Sequence, residues 1–134
     1  MFVLTLSVLS TGLAFSSLVS ASLMPAVYQR DDGLPHTVNT GRTTFFNPGV
    51  GVCGDVNTAN DFIVAINSVF FDAFRRTQIC NQTMLVQAFG KTLAVKVVDE
   101  CPTCGFNNID LSPAAFEFFA PLSTGAFQVQ WSLE

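Results

Sequence analysis

Two aspartates flank a short segment that could carry chemistry. Asp99 and Asp110 lie on either side of Cys101-Pro102-Thr103-Cys104-Gly105, a compact turn that a crosslink would hold rigid. Two carboxylates on one rim could bind sugar hydroxyls, or one of them could act as a general acid. A structural role is also possible, with Asp99 capping a turn and Asp110 accepting backbone hydrogen bonds from a following helix. The spacing alone leaves both interpretations open.

A strand and a helix are predicted to position the two aspartates. Residues 92–98 alternate in the manner of a strand, and this alternation puts Asp99 on the same face as Val97. If that face lines the interior of the fold, Asp99 lies where the interior opens to solvent. Ser112 is a favourable N-cap and Pro113 a favourable first helical residue, so Asp110 precedes a helix.

The rest of the pattern predicts a mainly β domain. Strand-like runs separated by turn residues occupy 43–46, 61–66, 84–89, 92–98 and 127–131, with a hairpin turn at Gly90-Lys91. Trp131 ends the last of them and is expected in the core. Many short strands with a single helix favour a small closed or nearly closed barrel. The 134 residues suffice for one domain.

The N-terminal residues predict secretion. Residues 1–21 form an apolar run without charged side chains that ends on Val19-Ser20-Ala21, a spacing that signal peptidase accepts. A membrane anchor is the alternative, but repeated Ser, Thr and Gly make the run weakly apolar for a spanning helix. Residues 22–40 predict a flexible lead-in or pro-segment, and no catalytic or metal role is expected for His36 within it. We expect an extracellular protein with no membrane association after signal removal.

The chain has four cysteines, and their context favours disulfides. Behind a secretory signal they predict two bridges, for which three connectivities exist. The spacing of Cys101 and Cys104 could instead suggest a zinc or redox site. Zinc would need two further ligands, and the candidates are Cys53, Cys80 and His36. We therefore expect no metal and no cofactor.

The charge pattern argues against nucleic acid as a partner. The formal net charge is −4, and Arg75-Arg76 is the single basic pair. Neutralising phosphates requires clustered Lys and Arg.

The triplet Asn81-Gln82-Thr83 is an acceptor for N-glycosylation, which predicts a surface position for Asn81. We expect a monomer.

Several motifs in order resemble the RlpA-like double-psi β-barrel family. They are Gly41-Arg42-Thr43-Thr44-Phe45-Phe46, then 51–54, 97–104 and 109–116, and the closing 125–131 is similar to the family's final strand. The family includes expansin domain 1, fungal expansin-like proteins and loosenins, and barwin-type domains. The resemblance implies a six-stranded double-psi β-barrel over 41–134, with one or two short helices and disulfide staples.

The resemblance also implies roles for three residues of an acidic groove. Asp110 matches the aspartate that expansins need for wall loosening, which is also the acid position of related lytic enzymes. Asp99 matches the aspartate that accompanies it, and Thr44 matches the threonine of the first strand. No candidate for the second carboxylate of a hydrolytic glycosidase is evident. Cys101 stands where many bacterial expansins carry an aromatic residue.

Similarity to barwin-type domains implies a disulfide pairing as well. It joins Cys53 to Cys80 and leaves Cys101 with Cys104. Crossed pairing between the two sets is the rival.

Three functions follow as hypotheses. The first is a secreted, single-domain expansin-like protein that binds cellulose, chitin or peptidoglycan in the acidic groove and loosens it without hydrolysis. The second is an inhibitor of papain-like cysteine proteases, or an effector, that uses the barrel as a binding module; 68–74 is a candidate exposed apolar loop, unless it packs on the barrel. The third is a lytic transglycosylase, whose chemistry can run with one acid. A non-hydrolytic protein is favoured over an enzyme.

Overall fold

The computed structural model describes residues 37–134. The predicted signal peptide and His36 lie outside the described residues. The strands are β1 (Asn39–Phe45), β2 (Ile63–Asn67), β3 (Thr83–Ala88), β4 (Lys91–Cys101), β5 (Ile109–Leu111) and β6 (Phe127–Leu133). The helices are α1 (Ser68–Asp72), α2 (Arg76–Ile79) and α3 (Pro113–Phe119), followed by a 3-10 turn at Leu122–Thr124. β1, the first of these strands, begins at Asn39.

The six strands close into one barrel, which confirms the predicted fold class. Their order around the barrel is β1-β5-β2-β4-β3-β6. β1 pairs with β5, and β2 with β4, in parallel, whereas the remaining neighbours run antiparallel. Because β6 closes on β1, none of the six strands within residues 37–134 is left as an open edge. The lateral register of β1, β5, β2 and β4 is what positions the acidic residues.

The core fills the inside of the barrel with the alternating apolar residues of the strands. Leu93, Val95 and Val97 of β4 are buried, with exposed residues between them. Trp131 of β6 is buried as predicted, and its indole Nε1–H donates to the carbonyl of Asn107 at 2.8 Å. The Phe116 ring is fully buried as well, and removing such apolar side chains from water stabilises the fold.

The predicted helix after Asp110 forms as α3. The Ser112 hydroxyl accepts a hydrogen bond from the backbone N–H of Ala115 at 3.3 Å, and Pro113 opens the helix. Phe116 and Phe119 lie on one face and are buried against the barrel. Since α3 is capped at the residue that follows β5, it fixes the end of the strand that carries Asp110.

A β-bulge in β4 changes the face on which Asp99 lies. Val64 of β2 pairs with Val97, but the next residue, Ala65, pairs with Asp99, so Val98 is the extra residue of β4. Val97 and Val98 are both buried. The prediction that Asp99 shares the inward face of Val97 is therefore wrong, because the bulge shifts the alternation by one residue.

Two disulfides staple the domain. Cys53 bonds Cys80 with a Cα–Cα distance of 5.5 Å, and Cys101 bonds Cys104 with a Cα–Cα distance of 5.3 Å. This is the pairing that the resemblance implied, and the crossed alternative is wrong. The first bridge ties the loop between β1 and β2 to the end of α2, and the second closes the turn at the end of β4.

The segment proposed as an exposed apolar loop, 68–74, is mostly helix α1. Asn67 caps it by accepting from the backbone N–H of Phe70 at 2.9 Å, and Phe71 is buried. The Phe70 ring packs edge-on against Trp131 with ring centroids 5.2 Å apart. The segment thus packs on the barrel, as its alternative interpretation held. Within residues 37–134, no helix has the length and apolar character needed to cross a membrane.

Candidate functional site

Four strands place Thr44, Asp110, Ala65 and Asp99 in one lateral row. Thr44 of β1 pairs with Asp110 of β5, Asp110 with Ala65 of β2, and Ala65 with Asp99 of β4. Directly paired residues project from the same face of a sheet. Ile109 and Leu111, the neighbours of Asp110, are fully buried in the interior, so the row faces outward. The two aspartates are separated by two strand spacings, or about 10 Å between Cα atoms.

Asp110 is a half-buried carboxyl with a specific partner. The Thr44 hydroxyl donates to its Oδ1 at 2.7 Å. Burial raises the pKa of the Asp110 carboxyl above its ordinary value, and the Thr44 hydrogen bond opposes that rise without cancelling it. A carboxyl in this state can donate a hydrogen bond, or a proton, at a higher pH than an exposed aspartate.

Asp99 belongs to the same row but has a different environment. Its Oδ1 accepts from the backbone N–H of Val52 at 3.0 Å and from its own neighbour Glu100 at 2.9 Å. Beside it, the Cys53 N–H donates to the carbonyl of Val98 at 3.2 Å. Asp99 therefore anchors the loop that follows β1 onto β4, which is the capping role considered for it from the sequence.

Glycine is required where this loop crosses β4. A Cβ on Gly51 would collide with the carbonyl oxygen of Val98 and would press on the Cβ of Asp99. Glycine therefore allows the backbone of residues 51–53 to approach close enough for both hydrogen bonds to form.

A small polar pocket opens beside Asp110. Its volume is about 250 Å³, and its walls are β1, β5 and the turn closed by Cys101–Cys104. Arg42, Thr44, Thr103 and Asn108 line it together with Asp110. The side-chain Oδ1 of Asn108 accepts from the backbone N–H of Arg42 at 2.8 Å and so holds the 105–108 loop against β1. Hydroxyl, amide, guanidinium and carboxyl groups thus converge on one concavity that the disulfide shapes.

The same cluster has the geometry of a metal site but not its chemistry. Ligand atoms of Cys101, Cys104 and Asp110 lie within 4.8 Å of one another. Thiolates are the sulfur ligands that bind metals, and these two sulfurs are bonded to each other. Asp110 is left as the single ionisable ligand of this group.

Sequence reasoning did not identify Arg42, Asn108 or Phe106. Arg42 alternates with Thr44 along β1, so strand periodicity could have placed it on the same face. Phe106 follows Gly105 of the pocket wall and is 73% exposed, which no sequence pattern distinguished from the many core phenylalanines. Asn108 lies in a loop whose position depends on the tertiary pairing of β1 with β5.

A second exposed feature is the loop between β1 and β2. Val50 and Val56 form an antiparallel bridge within it and are 74% and 75% exposed. The Cys53–Cys80 disulfide and the Asp99 carboxylate hold the turn between these two valines, at Val52 and Cys53. It presents two apolar side chains on a rigid support.

Elsewhere on the surface, Asn81 of the predicted glycosylation triplet is exposed.

Sequence comparison matches residues 38–131 to a double-psi β-barrel family described as lytic transglycolase. The papain inhibitor of Streptomyces mobaraensis is 33% identical over 91 residues, which cover 64% of each chain. An Allergen Asp f 7 homolog of Arthroderma benhamiae is 29% identical over 79 residues, 58% of this chain and 27% of that protein. The chain thus spans less than two thirds of the length of these curated relatives.

Structural comparison gives the same family. The Streptomyces papain inhibitor superimposes with a TM-score of 0.66 at 32% identity, covering 72% of this chain and 94% of that one. A mutant expansin of Clavibacter michiganensis in complex with cellohexaose gives a TM-score of 0.65 at 22% identity, covering 73% and 50%. The expansin likeness shows a shared fold.

Proposed function

The chain belongs to the RlpA-like double-psi β-barrel family, and on this premise we propose that its Asp110 pocket binds a strand of cell-wall polysaccharide and loosens it without hydrolysis. The two disulfides suit an extracellular protein, because such bonds persist in oxidising compartments. We infer that the protein acts outside the cell, on wall material.

The observation that carries the proposal is the hydrogen-bonded pair of Thr44 and Asp110 at the floor of a polar pocket. Sugar hydroxyls both donate and accept hydrogen bonds, and a fixed carboxyl beside amide and guanidinium groups complements them. Because burial raises the pKa of Asp110, the neutral form can donate and the charged form can accept. Binding of one strand here would compete with its hydrogen bonds to neighbouring strands.

The environment of Asp99 argues against hydrolysis by two carboxylates. Such enzymes need a second carboxylate that is free to act as a base or nucleophile. The Oδ1 of Asp99 already accepts two backbone hydrogen bonds. Because Asp99 holds the loop through this oxygen, we assign glycan binding to Asp110, and loosening needs no second carboxylate.

Pull-down on insoluble cellulose, chitin and peptidoglycan tests the proposal. Asp110→Asn keeps the size of the side chain but loses the charge, and we expect it to weaken binding roughly tenfold, the value of one charge-assisted hydrogen bond. Asp72→Asn removes an exposed charge at the end of α1 and is the matched control. Equal binding by all three proteins would remove Asp110 from the mechanism.

Incubation with peptidoglycan, followed by mass spectrometry, separates loosening from lysis. Loosening without cleavage predicts an unchanged pool of soluble sugars. Release of anhydro-sugars by the wild type and not by Asp110→Asn would make the protein a lytic transglycosylase instead.

A second candidate function is inhibition of a papain-like cysteine protease. A relative with that printed activity is 33% identical, and its structure matches over 94% of its length. The loop carrying Val50 and Val56 is the surface that favours this function, since it offers exposed apolar side chains on a rigid base. Rigid, preformed loops lose little entropy when they enter a cleft.

Papain activity on a fluorogenic peptide tests this second function. We expect Val50→Asp to weaken inhibition at least tenfold, because a charge would enter an apolar contact. Val69→Asp introduces the same charge on α1, where Val69 is 68% exposed, and is the control. Absence of inhibition by micromolar wild-type protein would reject the function, and loss in Val69→Asp alone would move the contact to α1.

A further inference from the structure

A larger pocket lies away from Asp110, at the turn between β3 and β4. Its volume is about 550 Å³, within the range of small-molecule sites. β1, β6, β3 and β4 form its floor. Thr40 pairs with Gln130, Gln130 with Gln87, and Gln87 with Thr92, so these exposed side chains form a second lateral row on the outer face. Hydroxyl and amide groups therefore repeat across four strands.

Phe89 borders this row in a backbone conformation that is unfavourable for phenylalanine. Ala88 pairs with Lys91, so Phe89 and Gly90 alone form the turn, with φ of 50° and 71°. Asn or Gly is preferred where both central residues have positive φ, and a bulky residue is strained there. The turn was predicted at Gly90-Lys91, and it lies one residue earlier in the sequence, at Phe89-Gly90. The Phe89 ring is 64% exposed and rests against the Phe127 ring, with centroids 5.2 Å apart.

Most of the hydrogen-bonding groups in this pocket are neutral. Lys91 is the charged residue in its lining, and its Nζ donates to the carbonyl of Phe118 at 3.2 Å and lies 5.7 Å from the centre of the Phe118 ring. One of the three ammonium donors is thus used within the chain, and the other polar groups of the lining are amides and hydroxyls beside an exposed aromatic ring. This mainly neutral set suits a hydroxyl-rich ring.

β1 joins the two pockets. Thr40 lines the larger pocket, whereas Arg42 and Thr44 line the pocket of Asp110. The three residues alternate on the outer face of one strand, and Thr40 lies about 13 Å from Thr44 along it. One extended chain of sugar units could therefore contact both pockets.

We propose that the pocket floored by Gln87 and Gln130 and bordered by Phe89 is a second carbohydrate subsite, which takes an uncharged pyranose unit stacked on the Phe89 ring. The inference rests on the proposed function, because it assigns a further contact to the same polysaccharide. It explains why an exposed phenylalanine occupies a turn position suited to asparagine.

The test is a titration of ¹⁵N-labelled protein with cellohexaose and with chitohexaose, followed by amide chemical shifts. We expect shifts at Gln87, Phe89 and Gln130 as well as around Asp110. Phe89→Asn removes the ring and supplies the residue that the turn prefers, so the protein should fold with equal or higher thermal stability. It should bind three- to tenfold more weakly, the value of one aromatic contact, and lose the shifts at Gln87 and Gln130.

Two further variants complete the experiment. Gln130→Ala removes an amide from the floor and should weaken binding about two- to fivefold, the value of one weak neutral hydrogen bond. Phe62→Asn removes an exposed ring outside the pocket and should leave binding unchanged. Shifts confined to the Asp110 pocket, with unaltered affinity in Phe89→Asn, would overturn the second subsite alone. Shifts at neither pocket with either sugar would overturn the proposed function as well.

Discussion

Replacing Thr44 with valine tests the geometry of the Asp110 pocket. Valine has nearly the shape of threonine but lacks the hydroxyl that donates to the Asp110 Oδ1 at 2.7 Å. Thr44→Ser is the matched control, since it keeps the hydroxyl and loses the methyl group. The comparison of the two variants therefore isolates one hydrogen bond.

The magnitude follows from the partner and its exposure. A hydrogen bond to a charged group contributes about 1.5–3 kcal/mol, and we reduce this to about 1 kcal/mol because water reaches the half-buried carboxylate. The bond lowers the pKa of Asp110 against the upward effect of burial, so its loss raises that pKa further. A folded-state pKa raised above the unfolded value contributes stability at low pH that is lost as the pH rises through it. The destabilisation by Thr44→Val should therefore be largest at neutral pH and should shrink in acid.

Two assays measure this outcome. NMR titration of the ¹³C carboxyl groups gives the pKa of Asp110 in each protein, and urea unfolding at acid and neutral pH gives the free energy of unfolding. We expect a higher Asp110 pKa in Thr44→Val than in Thr44→Ser, with the loss of stability concentrated at neutral pH. Identical titration curves in the two variants would refute the claim that the Thr44 hydroxyl stabilises the charged carboxylate.

Three more predictions follow from the same contacts. Asp110→Asn should be more stable than wild type at neutral pH, because burial penalises the charged carboxylate of the wild type. This difference in the free energy of unfolding should disappear as the pH falls and the wild-type carboxyl becomes protonated. Denaturant unfolding at several pH values measures the difference. Replacing Cys53 and Cys80 by alanine should lower the free energy of unfolding by about 3.5 kcal/mol, and replacing Cys101 and Cys104 should lower it by about 2 kcal/mol. The difference arises because the first bridge spans 27 residues and the second spans 3. The midpoints of denaturant unfolding give the ranking. Gly51→Ala should cost at least about 2 kcal/mol, because its Cβ meets the Val98 carbonyl, and faster amide exchange at Val52 should accompany it.

Much of the barrel could be predicted because its signals are local. Alternation along β4 and β6 reflects a packed inner face, and Ser112 with Pro113 specifies the start of α3. Trp131 could be assigned to the core because it continues the apolar alternation of its strand. These features depend on the chemistry of neighbouring residues, which the sequence displays directly.

The site depended on features with no local signal. β5 has three residues and owes its existence to pairing with β1 on one side and β2 on the other, so nothing in its own composition marks it as a strand. The bulge at Val98 inserts a residue of ordinary strand type, yet it determines that Asp99 shares the outer face with Asp110. Resemblance to a family, rather than periodicity, linked the two aspartates to Thr44.

The exposed loop illustrates a second limit. Val50 and Val56 are apolar, and from hydropathy alone such residues are expected in the core. The disulfide at Cys53 and the hydrogen bond from Val52 to Asp99 fix the turn between them onto the barrel, so the loop is held without burial of Val50 and Val56. Tertiary restraint of this kind cannot be derived from hydropathy, and it is what makes the loop a candidate protease contact.

Calorimetric titration with soluble chitohexaose, cellohexaose and peptidoglycan fragments tests the central claim most directly. Wild type, Asp110→Asn and the control Asp72→Asn are compared under one set of conditions. A polysaccharide site at Asp110 predicts that at least one of these sugars binds wild type and Asp72→Asn equally and binds Asp110→Asn roughly tenfold more weakly. Equal dissociation constants for all three proteins, or no heat of binding with any of the sugars, would contradict it.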